Sequence, residues 1–211
     1  MPSFVFADLA GFTALTETHG DAGAADLARE FEALVRRTLP PRARLVKMIG
    51  DAAMIVADDA GDAIRLAGAL MGNADALPGR PAMHIGVHAG DVAERDGDFL
   101  GHAVNIAARV ASEARPGEIL VTGDALRDID QGVRDAFALE PLGELRLRNV
   151  SQPIALYRIA AAGDTLATDP VCRMRLRAGE AAGMLRHAGK AYSFCSLDCA
   201  RRFADQPEAY A

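Results

Sequence analysis

The sequence predicts an α+β fold, a sheet with helices packed on one face, carrying a small cysteine-bearing module at its C-terminal end. Three observations predict it. Short apolar runs of strand length alternate with longer stretches whose apolar residues recur at helical spacing. Two of the runs are separated only by a glycine-containing turn, the mark of a hairpin and so of antiparallel pairing. All three cysteines fall beyond residue 170, after a stretch of small residues with no apolar period.

Taken in order, residues 4–7 read as a buried strand, and Asp8 and Gly11 turn the chain off the sheet. Leu27, Phe31, Leu34 and Val35 form one helical stripe that Pro40 and Pro41 stop after Leu39. Strands at 44–48 and 52–57 meet across Ile49, Gly50 and Asp51, so Lys47 and Asp51 flank one tight turn. Asp58 and Asp59 cap a second helix through Ile64, Leu66, Ala67, Leu70 and Met71 that ends near Gly72 and Asn73. A strand at 83–89 and a turn at 96–98 lead to Gly101 and a helix over 102–113, ended by Pro116 and Gly117. That helix places Asn105 and Arg109 one turn apart on one face. Strands follow at 119–122, 144–147 and 154–159, with a short helix after Gly123 and Asp124. Residues 160–168 read as a linker, which divides the chain into a domain over 1–160, a connection over 161–167 and a module over 168–211.

With 211 residues, half of them hydrophobic, the chain has material for one ordinary domain and a small one. A balance of 23 basic against 29 acidic residues, net −6 and without a basic stripe, argues against nucleic acid as the main partner. No apolar run approaches the roughly 20 residues that span a bilayer. The opening MPSFVFAD lacks the basic and apolar regions of a secretory signal. The expectation is a cytoplasmic protein with no membrane partner. An odd set of clustered cysteines suits thiolate metal binding in a reducing compartment better than a disulfide framework.

Asp8 closes the first strand and Asp51 sits in the hairpin turn, so pairing those strands brings two carboxylates together. Such oxygen ligation with open positions suits Mg²⁺ or Mn²⁺. Taken alone, each aspartate reads as a structural turn residue, because aspartate is favoured wherever chains turn.

Four blocks in order resemble the class III adenylyl and guanylyl cyclases: FADLAGFT at 6–13, KMIGDAAMIV at 47–56, GDFLGHAVNIAARV at 97–110, and LGELRLRNVSQPIALYRI at 142–159. The resemblance implies a ferredoxin-like α+β cyclase sandwich. It also implies adenylate cyclase activity, forming 3′,5′-cyclic AMP and pyrophosphate from ATP by a two-metal mechanism at a homodimer interface. By position, Asp8 and Asp51 match the metal-binding aspartates, Lys47 and Asp98 the base-selecting pair, and Asn105 and Arg109 the ribose-orienting and transition-state residues. Arg148 stands where many members carry a triphosphate-binding lysine, followed by Asn149 in place of the usual glycine.

Hydrogen-bond inventory agrees with ATP. Adenine offers an acceptor at N1 and a donor at N6, which a lysine donor and an aspartate acceptor complement, whereas guanine reverses both. The histidines at 19, 84, 88 and 102 read as structural or surface residues. Two alternatives stand beside this reading: a non-catalytic nucleotide- or metal-binding sensor or metallochaperone on a cyclase-like dimerising scaffold, and a guanylyl cyclase.

The C-terminal segment carries DPVCRM at 169–174, GKAYSFCSLDCARRF at 189–203 and a closing PEAY, and it looks like a YHS domain, related to TRASH-type metal-binding modules. A helix beginning near Ser196 presents Cys195 and Cys199 to one side, and Cys172 approaches from the preceding loop. Three thiolates suit Cu(I), Zn²⁺ or another thiophilic ion. Met174, His187 and Asp198 are candidates for a fourth ligand, and a three-coordinate site is equally open. Where many relatives carry glycine after the first cysteine, this chain has Arg173. The competing reading is cysteines that only pack a small core. A module of this size has too little core of its own, which favours a metal or docking onto the larger domain.

Overall fold

A computed structural model describes residues 1–76, 79–159, 166–177 and 179–211. Its first half runs β1 (Ser3–Leu9), α1 (Phe12–Thr38), β2 (Ala43–Ile49), β3 (Ala52–Ala57), α2 (Ala60–Asp75) and β4 (Met83–Ala89). The strands lie side by side as β2-β3-β1-β4, all antiparallel, which is the ferredoxin-like βαββαβ arrangement. A small hairpin of β5 (Ala93–Arg95) and β6 (Asp98–Leu100) leads to α3 (His102–Glu113). The chain continues through β7 (Ile119–Thr122), α4 (Gln131–Ala136), β8 (Leu139–Leu145) and β9 (Ile154–Ile159). These extend the sheet to seven strands, with β7 parallel to β4.

The expected α+β class is met, with one correction: helices cover both faces of the sheet. Val5, Ala7 and Leu9 face Phe31 and Leu34 of α1 and Ile64, Leu66 and Leu70 of α2. Phe4 and Phe6, pointing the other way, pack with Met54 and Val56 against Ala103, Ala107 and Ala111 of α3. A strand apolar at successive positions has two faces to bury, and each large side chain so buried contributes about 1.5–3 kcal/mol. The alanine stripe lets α3 approach closely. A Cβ on Gly86 of β4 would lie 2.2 Å from the backbone nitrogen of Ala111, so this contact requires glycine.

Other boundaries moved for local reasons. The first helix begins at Phe12, well before the Leu27 stripe, and is broken at Gly20 (φ 79°, ψ 163°). The short helix expected after Asp124 starts instead at Gln131, where the Asp130 side chain accepts from the Val133 N–H at 2.9 Å. The strand expected at 144–147 starts earlier, at Leu139. Asp98 opens β6 instead of ending a turn.

Of the expected connection over 161–167, residues 161–165 lie outside the described residues, and Ala167 begins β10 (Ala167–Thr168). The module continues with β11 (Arg175–Leu176), β12 (Gly183–His187), β13 (Lys190–Phe194) and α5 (Leu197–Asp205). Its apolar centre, Val171, Cys172, Met174, Leu176, Phe194, Cys199 and Phe203, includes Leu15 and Ala24 from α1. The small core is thus completed by a helix of the larger domain. Backbone bonds from Ala82 N to Arg173 O (2.8 Å) and from Arg175 N to Arg80 O (2.7 Å) seat the module against the approach to β4. An ion pair between Arg175 and Asp75 at 3.0 Å adds to them.

Candidate active site and cysteine cluster

Strand register brings the first two candidate residues together. Asp8 lies opposite Ala52 on β3 and opposite His84 on β4. Because Asp51 directly precedes Ala52, the two carboxylates meet at the C-terminal end of β1. Burial, and then the charge of Asp8, push the Asp51 carboxyl above its ordinary range. Oδ2 of Asp8 is 3.1 Å from Nε2 of His84, whose Nδ1 is 2.9 Å from the carbonyl oxygen of Ala114. Burial disfavours the charged imidazole, but the hydrogen bonds to Asp8 and Ala114 outweigh it and raise the His84 pKa. Oδ1 of Asp8 is buried with no hydrogen-bond partner among the described residues. Two crowded carboxylates and an orphaned buried oxygen are a donor set that fits a hard divalent cation.

Lys47 pairs across the sheet with Met54, and Met54 with Phe6. Cross-strand partners share a face, and Asp8 shares that of Phe6 two residues on, so Lys47 and Asp8 lie on the same side of the sheet. The Lys47 ammonium reaches Oδ2 of Asp98 at 2.5 Å. Lys47, and then the Phe99 N–H at 2.9 Å, hold the Asp98 carboxyl below its usual range. Arg44 fastens the same hairpin to β2, pairing with Glu94 at 2.7 Å and lying 4.9 Å over the Phe99 ring.

Asn105 and Arg109 are not brought to this cluster. Ala103, Ile106, Ala107, Val110 and Ala111 bury one side of α3, and Asn105 and Arg109 stand exposed on the other. Arg148 is also exposed, beyond the end of β8. Asn149 after it adopts φ 61°, the left-handed conformation that a glycine would take and asparagine tolerates. The described chain therefore presents the Asp8–Asp51 carboxylates and the Lys47–Asp98 pair on one side of the sheet, and Asn105 and Arg109 on the exposed side of α3.

In the module the three cysteines are free thiols. Sγ of Cys195 lies 3.3 Å from Sγ of Cys172, 3.7 Å from Sγ of Cys199 and 3.7 Å from Nε2 of His19 on α1. The four ligand atoms lie within 4.8 Å of one another. Hydrogen bonds from Cys172 and Cys195 lower the pKa of the Cys199 thiol and so favour its thiolate. Asp169, fully buried, accepts from the backbone N–H groups of Val171 (2.8 Å), Cys172 (3.3 Å) and Cys195 (2.7 Å) and so fixes two of the cysteines. Ser196 caps α5 by accepting from the Cys199 N–H at 3.1 Å and fixes the third. The fourth-ligand candidates His187 and Asp198 are engaged elsewhere, with Glu208 at 3.0 Å and Arg201 at 3.1 Å, and Met174 packs in the module's apolar centre. Arg173 takes φ 61°, again the conformation a glycine would favour.

Three residues that sequence reasoning left aside thus sit in these clusters. His84 is one of two histidines in a mostly apolar strand and the one that faces Asp8, a signal readable once β1 and β4 are paired. Asp169 begins DPVCRM and is a turn aspartate by type. His19 carries no local signal at all.

A family profile described as the adenylate and guanylate cyclase catalytic domain matches residues 2–161, and one for the YHS domain matches residues 167–211. A pH-sensitive adenylate cyclase of Mycobacterium tuberculosis is 35% identical over 156 residues, covering 73% of this chain and 39% of that protein. An adenylate cyclase of Streptomyces griseus is 36% identical over 129 residues, covering 61% of this chain and 32% of that protein. The chain therefore spans about a third to two fifths of the length of these relatives. A Trypanosoma brucei adenylate cyclase solved in its monomeric state superposes with a TM-score of 0.66 at 22% identity, covering 75% of this chain and 87% of that one, a likeness of fold. Among the described residues no helix is long and apolar enough to cross a membrane.

Proposed function

The chain belongs to the adenylate and guanylate cyclase catalytic-domain family over residues 2–161, and from that premise we propose that it is an adenylyl cyclase working as a homodimer. The 3′-oxygen of ATP bonds to the α-phosphorus, the bond from that phosphorus to the bridging oxygen breaks, and pyrophosphate leaves as the hydroxyl proton passes to solvent. Asp8 and Asp51 would hold two Mg²⁺ or Mn²⁺ ions. When bound, these would supply charge neutralisation for the triphosphate and acidify the attacking hydroxyl. Lys47 of the partner subunit donates to adenine N1 and Asp98 of the partner subunit accepts from N6. Asn105 of the partner subunit orients the ribose, Arg109 of the partner subunit meets charge developing on the α-phosphate, and Arg148 binds the triphosphate.

The Lys47–Asp98 pair carries the choice of ATP, because it presents a donor and an acceptor already set side by side. A guanine there would leave polar groups unsatisfied, at about 1–3 kcal/mol each. Asn105 and Arg109, exposed on the side of α3 that is turned away from the buried alanine stripe, support a site shared between protomers. The module over 168–211 binds a thiophilic metal through Cys172, Cys195 and Cys199, and free thiols support a reducing, cytoplasmic setting. We assign the larger domain to 1–160 and the connection to 161–167.

Incubation of the protein with ATP or GTP and Mn²⁺, followed by product analysis, tests the proposal. Cyclic AMP and pyrophosphate from ATP are expected. Binding of ATP and metal without release of pyrophosphate would instead identify a non-catalytic sensor, and cyclic GMP as the main product a guanylyl cyclase.

A further inference from the structure

Three thiolates make an incomplete shell for a tetrahedral ion, and the structure places one imidazole where the shell is open. A zinc ion bonded to sulfur at about 2.3 Å and to nitrogen at about 2.0–2.1 Å sets tetrahedral edges of about 3.8 Å between sulfurs and about 3.6 Å from sulfur to nitrogen. The contacts around Cys195, 3.3 Å to Cys172, 3.7 Å to Cys199 and 3.7 Å to Nε2 of His19, have that scale. They are far longer than the roughly 2.05 Å of a disulfide.

We propose that His19 of the first helix of the cyclase domain is the fourth ligand of a Zn²⁺ held by Cys172, Cys195 and Cys199, so that one ion fastens the C-terminal module to the cyclase domain. This rests on the reading of the three cysteines as metal ligands. The ligand arms are held from both sides. Asp169 and Ser196 fix the cysteines, while Leu15 and Ala24 seat α1 in the module's apolar centre on either side of His19. The helix breaks at Gly20, directly after the ligand, so residues 12–19 form a short separate segment. Its other end is also held by the cysteine loop. A Cβ on Gly11, the left-handed residue before that segment, would lie 2.7 Å from Cγ of Arg173. Arg173 follows Cys172, and Gly11 lies three residues beyond Asp8. Zinc closes the clasp at the His19 end, and Arg173 covers the Gly11 end beside the end of the strand that carries Asp8.

Full-length reduced protein is titrated with Co²⁺ and then Zn²⁺, with amide hydrogen exchange followed over residues 12–19. Wild type is expected to take up one Co²⁺ per chain, with sulfur-to-cobalt charge transfer and the intense visible bands of four-coordinate cobalt. Zn²⁺ should displace it and slow exchange over 12–19. H19A should keep the charge transfer, lose about ten- to a hundredfold in affinity and lose the zinc-dependent protection. Added imidazole should restore the spectrum. His19 is exposed, which favours a folded variant, and H19Q repeats the test should H19A fail to fold. Equal affinity, spectrum and protection in wild type and variant would overturn the role of His19 and leave the three-cysteine site standing. Absence of sulfur-to-cobalt charge transfer in wild type would overturn both.

Discussion

His84 holds one oxygen of Asp8 at 3.1 Å while the other oxygen of the same carboxylate is buried without a partner among the described residues. His84 is in turn anchored to the Ala114 carbonyl at 2.9 Å, so it acts as a positioning residue for Asp8. We expect H84A to weaken Mn²⁺ binding by about ten- to a hundredfold, as loss of an outer partner does, with kcat falling alongside and KM for ATP little changed at saturating metal. Mn²⁺ titration by electron paramagnetic resonance gives the affinity. Unaltered Mn²⁺ affinity would reduce His84 to a packing residue.

Asp51 and Arg109 belong to different halves of the proposed shared site. Removing either should lower kcat by about two to three orders of magnitude. Arg109→Ala, on an exposed helix face, should change stability by no more than about 0.5 kcal/mol. Mixing inactive Asp51→Ala and Arg109→Ala proteins should restore about one quarter of wild-type activity, because half of the dimers are mixed and each holds one intact site. A mixture as inactive as its components would show that the two residues serve the same site from one chain.

Base preference should follow the Lys47–Asp98 pair. Replacing Lys47 with Glu and Asp98 with Asn supplies an acceptor for guanine N1–H and a donor for O6. The ratio of kcat/KM for ATP to that for GTP should fall by at least about tenfold, as one or two mismatches of about 1–3 kcal/mol require. Competition kinetics with both nucleotides measures it, and an unchanged ratio would remove the pair from base selection.

His88 is buried at the end of β4, with Nδ1 2.8 Å from the Thr122 hydroxyl. Burial is the main cause that brings its pKa to about 4, with Asp124 opposing and His102 reinforcing the shift. The folded state thus resists a proton that the unfolded chain accepts below its ordinary value near 6.5. Stability should fall as pH drops from about 6.5 to about 4, by up to about 3 kcal/mol at 1.36 kcal/mol per pKa unit. Urea unfolding at several pH values tests this. H88Q should flatten that part of the profile, and an identical slope in the variant would assign the acid sensitivity to other groups.

Local pattern was sufficient for most strands, because a run such as residues 52–57 or 83–89 declares its own length and its turns. The meeting of Asp8 and Asp51 was legible too, since a hairpin beside a neighbouring strand leaves little choice of register. Less was readable where the signal was weak or non-local. Apart from Phe12 and Leu15, residues 12–24 are small or polar, and their apolar side is buried against a partner from the far end of the chain, so their helix gave little sign of the face it would use. Periodicity reports which positions of a segment are apolar, but not what will cover them, and so it missed the second helical face of the sheet.

By itself the sequence determined the kinds of element, the cyclase-like set of six polar positions and the three sulfurs. Tertiary packing decided that Asp8 would keep one oxygen without a partner among the described residues and that His19 would arrive at the cysteines from 176 residues away. A contact across that separation is set by the burial of Leu15, Ala24, Phe194 and Phe203 in one apolar centre. That gain belongs to the assembled core and to no local stretch of the chain.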